Sequence, residues 1–207
     1  MLQTRAIIAG IDEAGRGPLA GPVMAGACVL TDTLFRCRRS HPAWSPLARG
    51  ANRPIIADSK CLSPEERETA YAWITAQCAW GVGAASAAEI DRNGILAATE
   101  RAMQRALSML ERTIEPTFLL IDGRDHFWFD YPHASVIRGD STEPCIAAAS
   151  IIAKVTRDRW MCERAVPFPA YGFERHKGYG STEHLKAIRE HGPCELHRGS
   201  FLRRIRE

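Results

Sequence analysis

The sequence predicts a mixed α/β fold: a central sheet flanked by helices, with a helical and loop-rich extension after about residue 166. Three observations carry that expectation. Two short apolar runs, residues 7–12 and 23–30, stand close enough to pair as a hairpin. Two capping-box spacings, Ser63/Glu66 and Ser86/Glu89, open helices between apolar runs. A compact apolar run, residues 117–122, precedes a long helical stretch, which suits strand–helix alternation.

In chain order, residues 7–12 read as a strand entering a Gly/Pro loop, and residues 23–30, rich in small side chains, as its partner. Residues 36–53 have no clear period and read as a surface insertion. Residues 55–57 are expected as a short strand leading into Asp58-Ser59-Lys60. Pro64 at the first helical position, after Ser63, predicts a helix to about Cys78. Residues 80–86 read as another strand. A short helix follows, interrupted by Asn93-Gly94. Residues 95–112 form a longer amphipathic helix with Leu96, Met103, Leu107 and Leu110 near one face. Residues 117–122, bounded by Pro116 and Gly123, suit a central strand covered on both faces. Val136 and Ile137 make a brief strand. The helix at 145–161 is rich in small residues, which predicts close packing on the sheet. Beyond Pro167 the text is loop-rich, with a helix at 181–190.

The 207 residues suit one domain, with a core over about 6–165 and an extension over about 166–207. Apolar and charged fractions of 45% and 25% are those of an ordinary globular protein. No stretch approaches a membrane-spanning length, and the first residues lack the sections of a signal peptide, so a cytoplasmic protein is expected. Seven cysteines stand at 28, 37, 61, 78, 145, 162 and 194, none in C-x-x-C spacing. That argues against structural zinc and against a disulfide framework, and most are expected as buried thiols. The net charge of +3 is weak evidence for nucleic acid. Its distribution says more: residues 36–53 hold five arginines and no acid, and residues 197–207 hold four arginines and one acid. Both read either as solvated surface or as attraction to phosphates.

The stretch "IDEAGRG", residues 11–17, ends an apolar strand in two adjacent acids. Side chains alternate along a strand, so Asp12 shares a face with Ile8 and Gly10, and Glu13 points the other way. Glu13 joins Asp12 only if the strand ends there and the chain turns; Gly15, Gly17 and Pro18 supply such a turn. Asp122 closes residues 117–122 just before Gly123, and Asp140 follows Gly139 just before a helix. Strand ends and helix entrances are where α/β sheets place active sites. Gathered carboxylates repel unless a cation sits among them, and hard ions such as Mg²⁺ or Mn²⁺ take oxygen ligands. Two such ions about 3.5–4 Å apart can activate a water and support the leaving oxygen in phosphodiester cleavage. The other reading makes each acid a turn or cap residue, which weighs more for Asp122 or Asp140 singly than for Asp12-Glu13.

"GIDEAGRGPLAGPV" resembles the N-terminal signature of the ribonuclease HII family, the type 2 RNase H enzymes. The match continues through "DSK.LS" at 58–63, "EID" at 89–91, "IL.AT..AM" at 95–103 and "IDG" at 121–123. It extends through "GDS" and "IAAASIIAKVTRD" at 146–158, "HKGYG" at 176–180 and "HR.SF" at 197–201. The resemblance covers essentially the whole chain. It implies an RNase H-like fold and hydrolysis of the RNA strand of RNA–DNA hybrids. It also implies cutting on the 5′ side of a single ribonucleotide in duplex DNA, leaving 3′-hydroxyl and 5′-phosphate ends, in support of ribonucleotide removal during replication and repair. The family's metal-site acids match Asp12, Glu13, Asp122 and Asp140, with Mn²⁺ or Mg²⁺ as cofactor and two ions per site during catalysis. Asp12 is the best candidate to bridge both. Gly15, Arg16 and Gly17 match the element that senses the ribose 2′-hydroxyl, and Tyr179 matches the tyrosine that packs on the following deoxyribose. Ser59, Lys60 and Lys154 are the expected further substrate contacts, Ser59 standing equally as part of a turn and Lys154 as a structural lysine. Departures are Cys61 in place of a lysine, Gly94 in place of an asparagine, and the length of residues 36–53.

Ribonuclease HIII is the near rival; it adds an N-terminal substrate-binding domain, whereas here the first strand begins at about residue 6. A non-catalytic hybrid-binding module requires the acids to be incidental. A phosphate-cradling NTPase requires G-x-x-x-x-G-K-[ST], which does not occur. The expected partner is an RNA–DNA hybrid or ribonucleotide-containing duplex, without a membrane, bound by a monomer. A sliding-clamp contact belongs to the same expectation, although the sequence itself does not show it.

Overall fold

The computed structural model describes residues 6–30 and 54–203. Five strands form one sheet: β1 (Ile8–Ala14), β2 (Val23–Val29), β3 (Ala79–Ala85), β4 (Phe118–Asp122) and β5 (His133–Val136), in the order β3-β2-β1-β4-β5. β1, β2 and β3 run antiparallel, while β4 and β5 add parallel to β1. The sheet is therefore mixed, an RNase H-like α/β arrangement with a hairpin at one side and parallel pairing at the other. The helices are α1 (Pro64–Gln77), α2 (Ala87–Asn93), α3 (Ile95–Leu110), α4 (Gly139–Thr142), α5 (Pro144–Ala165), α6 (Phe173–His176), α7 (Thr182–His191) and α8 (Gly199–Leu202).

Both capping boxes form. Ser63 Oγ accepts from the Glu66 N–H at 3.2 Å while Glu66 accepts from the Ser63 N–H at 2.8 Å. Ser86 and Glu89 repeat the exchange at 3.2 and 2.9 Å. Each box satisfies donors that a helix start otherwise leaves unpaired. Gly94, at φ +81°, breaks α2 from α3.

Helices cover both faces of the sheet. Ala9, Ile11, Ala25, Ala27, Leu119 and Ile121 pack with α3 on one side. Cys28 and the small residues of α5, Ala147, Ala148 and Ala149, pack with Ile74 of α1 on the other. Glycines set the spacing. A Cβ on Gly10 would lie 2.2 Å from the Cys145 carbonyl carbon, and one on Gly26 would lie 2.3 Å from the Ala149 oxygen. The α5 backbone thus lies almost on β1 and β2. Gly81 and Gly83 admit α3 in the same way, at 2.1 and 2.2 Å from the Ala106 and Ala102 oxygens. The residues after α5 fold back on its far end, where Ala20, Met161, Tyr171, Phe173 and Ala187 share a smaller core. Backbone bonds tie them to the loop after β1: Leu19 to Gly178, Gly21 to Leu196 and Arg198 to Leu19, each 2.8 Å.

Several expectations need correction. Residues 55–57 are not a strand; among the described residues they pair with no neighbour, and they anchor through Ile56, which is buried against α1 and α5. The strand expected at Val136 and Ile137 is β5, which ends at Val136 and leaves Ile137 exposed. Leu96 is half exposed rather than on the packed face of α3, which is instead Ala98, Ala102, Met103, Ala106 and Leu110. Of the described cysteines only Cys28 is buried; Cys61 and Cys162 are exposed and all are free thiols. Residues 36–53 and the arginines at 204 and 206 lie outside the described residues. Among the described residues no helix is long and apolar enough to cross a membrane.

Candidate active site

The parallel pairing of β1 with β4 places two acids together. The pairing reaches Ile11 opposite Ile121. One step further, Asp12 and Asp122 emerge from adjacent strands on the same face. Asp140, in α4, closes the group from the third side: its N–H donates to Asp122 Oδ1 at 3.2 Å. One carboxylate oxygen from each of Asp12, Asp122 and Asp140 lies within 4.8 Å of the others. Asp12 and Asp140 are buried, at 4% and 6% exposure.

This group is electrostatically uncomfortable. Burial first, then the charges of Glu13 and Asp122, push the Asp12 carboxyl well above its ordinary range, against opposing hydrogen bonds from Ser150 and the Glu13 N–H. Burial likewise raises Asp122, with the Asp140 N–H opposing and the Asp140 charge adding. Three hard oxygen donors sharing too much negative charge fit a divalent cation of the Mg²⁺ or Mn²⁺ kind.

Glu13 is held apart. β1 does not end at residue 12: Glu13 pairs with Ala25 and Ala14 with Met24, so the turn begins at Gly15. The strand expected to end at Asp12 therefore runs two residues further, because the hairpin with β2 holds the backbone extended, and the turn comes where Gly15 predicted it. Glu13 faces Arg16, whose Nη1 lies 3.3 Å from Glu13 Oε1 and 2.8 Å from Asp125 Oδ2. Burial raises the Glu13 carboxyl and Arg16 lowers it, with Asp122 close enough to add.

Gly15 has φ +94° and is buried; Gly17 is exposed, and a Cβ there would come 4.0 Å from the Tyr179 ring. The two readers expected from the sequence are thus neighbours. Tyr179 is 46% exposed, so its ring is available. Its carbonyl is held from behind by histidines. His197 Nδ1 accepts the Cys194 N–H at 2.9 Å, so its Nε2–H must donate to His184 Nε2 at 3.0 Å. His184 Nδ1–H then donates to the Tyr179 carbonyl at 2.9 Å. Burial pushes His184 down to about 4, which keeps this chain neutral.

The remaining expected residues divide. Lys60 reaches the acids, with Nζ 3.3 Å from Asp140 Oδ2. Ser59 turns inward: it is buried, with Oγ 2.9 Å from Ser150 Oγ, and so backs the Ser150 hydroxyl that serves Asp12. The Cys61 N–H donates to the Asp58 carbonyl at 2.9 Å, so residues 58–61 do form a turn. Lys154 is paired with Asp158 at 2.7 Å, in a groove that also holds Tyr179.

The chain has known relatives. The family model described as Ribonuclease HII matches residues 51–204. The chain belongs to the ribonuclease HII family. It is a ribonuclease H, an endonuclease that hydrolyses phosphodiester bonds. The Ribonuclease HII of Geobacter metallireducens is 47% identical over 195 residues, covering 94% of this chain and 83% of that protein. The fold matches the crystal structure of ribonuclease H2 from Pyrococcus horikoshii with a TM-score of 0.71 at 24% identity, over 93% of this chain and 92% of that one. It also matches RNase HII in the PCNA:RNase HII complex from Archaeoglobus fulgidus, with a TM-score of 0.70 at 22% identity, over 93% and 94%.

Four residues around this ribonuclease HII site escaped the sequence reading: Ser150, Asp125, Arg157 and Arg198. Ser150 and Arg157 had a signal. Ile146, Ser150, Ala153, Arg157 and Met161 recur at spacings of three and four, and all are buried. A serine and an arginine on a packed helical stripe require partners. Asp125 and Arg198 sit in loops, where no period marks them.

Proposed function

We propose that the protein hydrolyses the RNA strand of RNA–DNA hybrids and cuts on the 5′ side of single ribonucleotides in duplex DNA. The products are 3′-hydroxyl and 5′-phosphate ends, and the activity serves ribonucleotide removal in replication and repair. The observation that carries the proposal is the convergence of Asp12, Asp122 and Asp140 within 4.8 Å, a few residues from Gly15-Arg16-Gly17. Asp12, Asp122 and Asp140 would hold the metal, and Glu13 would complete the set. When bound, two ions of Mn²⁺ or Mg²⁺ supply an activated water and charge compensation at the leaving 3′-oxygen.

The chain's own groups do the rest. Glycine at 15 and 17 lets the backbone approach a sugar, and a 2′-hydroxyl distinguishes RNA from DNA. Tyr179 offers an exposed ring face to the next deoxyribose. Lys60, beside Asp140, and Lys154, in the groove with Tyr179, are candidate phosphate partners, and Ser59 supports the turn that carries Lys60. Lys60 also balances Asp140, so metal binding would release it toward a phosphate. The chain works as one domain, a catalytic core over about 6–165 with an extension over about 166–207, as a cytoplasmic monomer. A sliding-clamp contact is part of the proposal, in line with the PCNA complex of the Archaeoglobus fulgidus relative.

The test is a panel of three duplexes: DNA with one ribonucleotide, the same sequence all in DNA, and an RNA–DNA hybrid, each with Mg²⁺ or Mn²⁺. Cleavage 5′ of the ribonucleotide and within the hybrid, with the all-DNA duplex intact, is expected. An uncut ribonucleotide duplex with both metals defeats the proposal.

A further inference from the structure

Two arginines are among the most deeply buried side chains in the protein: Arg198 at 0% and Arg157 at 1% exposure. Neither forms an ion pair with a carboxylate among the described residues. A buried charge without a counter-ion is costly unless hydrogen bonds satisfy it. Here backbone carbonyls of one short loop do so. Arg198 donates from Nε to the Gly21 carbonyl at 2.9 Å, from Nη1 to Arg16 at 3.0 Å and from Nη2 to Gly15 at 2.6 Å. Arg157 donates from Nε to Pro22 at 3.0 Å and from Nη2 to Ala20 at 3.1 Å. Its Nη1 finds no acceptor among the described residues. Together the two forks take five carbonyls of residues 15–22.

We propose that Arg157 and Arg198 are positioning residues that set ribose recognition, by fixing which way the peptide groups of residues 15–17 face. The inference rests on the reading of Gly15-Arg16-Gly17 as the ribose sensor. Its core is peptide planarity: in a trans peptide the C=O and the following N–H point in opposite directions. Arg198 draws the Gly15 and Arg16 carbonyls inward, so the N–H groups of Arg16 and Gly17 turn away from it. A cation on each carbonyl also polarises its amide, which makes that N–H a stronger donor. The result is a pair of aimed donors, held without any side chain near the sugar.

The fit between loop and arginine is close. Gly15 has φ +94°, and a Cβ there would lie 2.1 Å from Arg157 Nε. The same guanidinium lies 5.8 Å from the Tyr179 ring centroid, within cation–π range. Arg157 therefore touches both the expected ribose sensor and the expected deoxyribose platform. Burial, followed by the neighbouring Arg157 charge, pushes the Arg198 proton affinity down, yet a guanidinium remains charged at working pH. Lysine cannot replace either residue in kind, because one ammonium lacks the planar fork that reaches three carbonyls from Arg198 and two from Arg157.

The test compares wild type, Arg198→Lys and Gly17→Ala. Binding of ribonucleotide-containing and all-DNA duplexes is measured without divalent ions, KM and kcat with Mn²⁺, and Mn²⁺ affinity by calorimetry. For Arg198→Lys we expect the preference for the ribonucleotide duplex to fall about tenfold and KM to rise about tenfold. All-DNA binding and Mn²⁺ affinity stay at wild-type levels, which a general loss of structure would not allow. Unchanged preference and KM in Arg198→Lys, alongside a loss in Gly17→Ala, overturns the proposal and leaves the loop reading standing. Unchanged preference in Gly17→Ala as well overturns the loop reading, and the proposal with it. Should Arg198→Lys fail to fold, Arg157→Lys is judged by the same outcomes.

Discussion

Asp12 is the residue on which the chemistry and the cost of the site meet. It is buried, faces Asp122 across the β1–β4 pair, and receives hydrogen bonds from Ser150 and the Glu13 N–H. Its carboxyl holds a proton above the ordinary value of 3.8, chiefly through burial. The sign of the stability effect follows. Over the window above 3.8 the folded protein keeps a proton that the unfolded chain has lost, so metal-free stability falls as pH rises. Asp122 and Glu13, raised by the same cause, act in the same direction. Asp12→Asn is therefore expected to melt higher than wild type without metal, with the gap largest at neutral pH and closing toward pH 4. The same variant loses cleavage by about a thousandfold or more while still binding duplex. Calorimetric melting across pH, with gel assays of cutting and binding, checks both. A variant that cuts normally, or melts lower at neutral pH, contradicts this account of Asp12.

The element that matters most is α5, because its closeness to β1 and β2 carries Ser150 to Asp12 and Arg157 to the 15–22 loop. Glycine makes that closeness. Gly26→Ala would drive a methyl group to 2.3 Å from the Ala149 oxygen, so either the helix or the strand must move. A loss of about 1–3 kcal/mol is expected in chemical denaturation, with reduced cutting because Ser150 shifts too. Much of this element level was legible in the sequence. The capping boxes, Gly94 between α2 and α3, and the small-residue stripe of α5 are local patterns with local physical causes. What local pattern cannot show is pairing. Nothing near Asp122 states that β4 lies beside β1, which alone brings it to Asp12. Nothing near Glu13 states that the hairpin keeps it extended toward Arg16. The segment at 55–57 misled for the same reason: three apolar residues resemble a strand, but no sheet edge among the described residues receives them.

At the scale of the whole molecule, the fold joins two sources of function. Two neighbouring inner strands and a short helix bring three carboxylates together. The residues after α5 supply Tyr179, the histidines behind it and Arg198, which reaches back to the loop after β1. The site is therefore a seam between sheet and extension, and the proposal assigns its two halves separately testable tasks: metal binding to the sheet, ribose preference to the seam. The central claim is that Asp12, Asp122 and Asp140 form one divalent-ion site. Calorimetric titration of Mn²⁺ into wild type and Asp122→Asn at neutral pH tests it most directly. Saturable binding by wild type, weakened at least about tenfold in Asp122→Asn, is the predicted result. Equal binding by both proteins, or none by wild type, would contradict it.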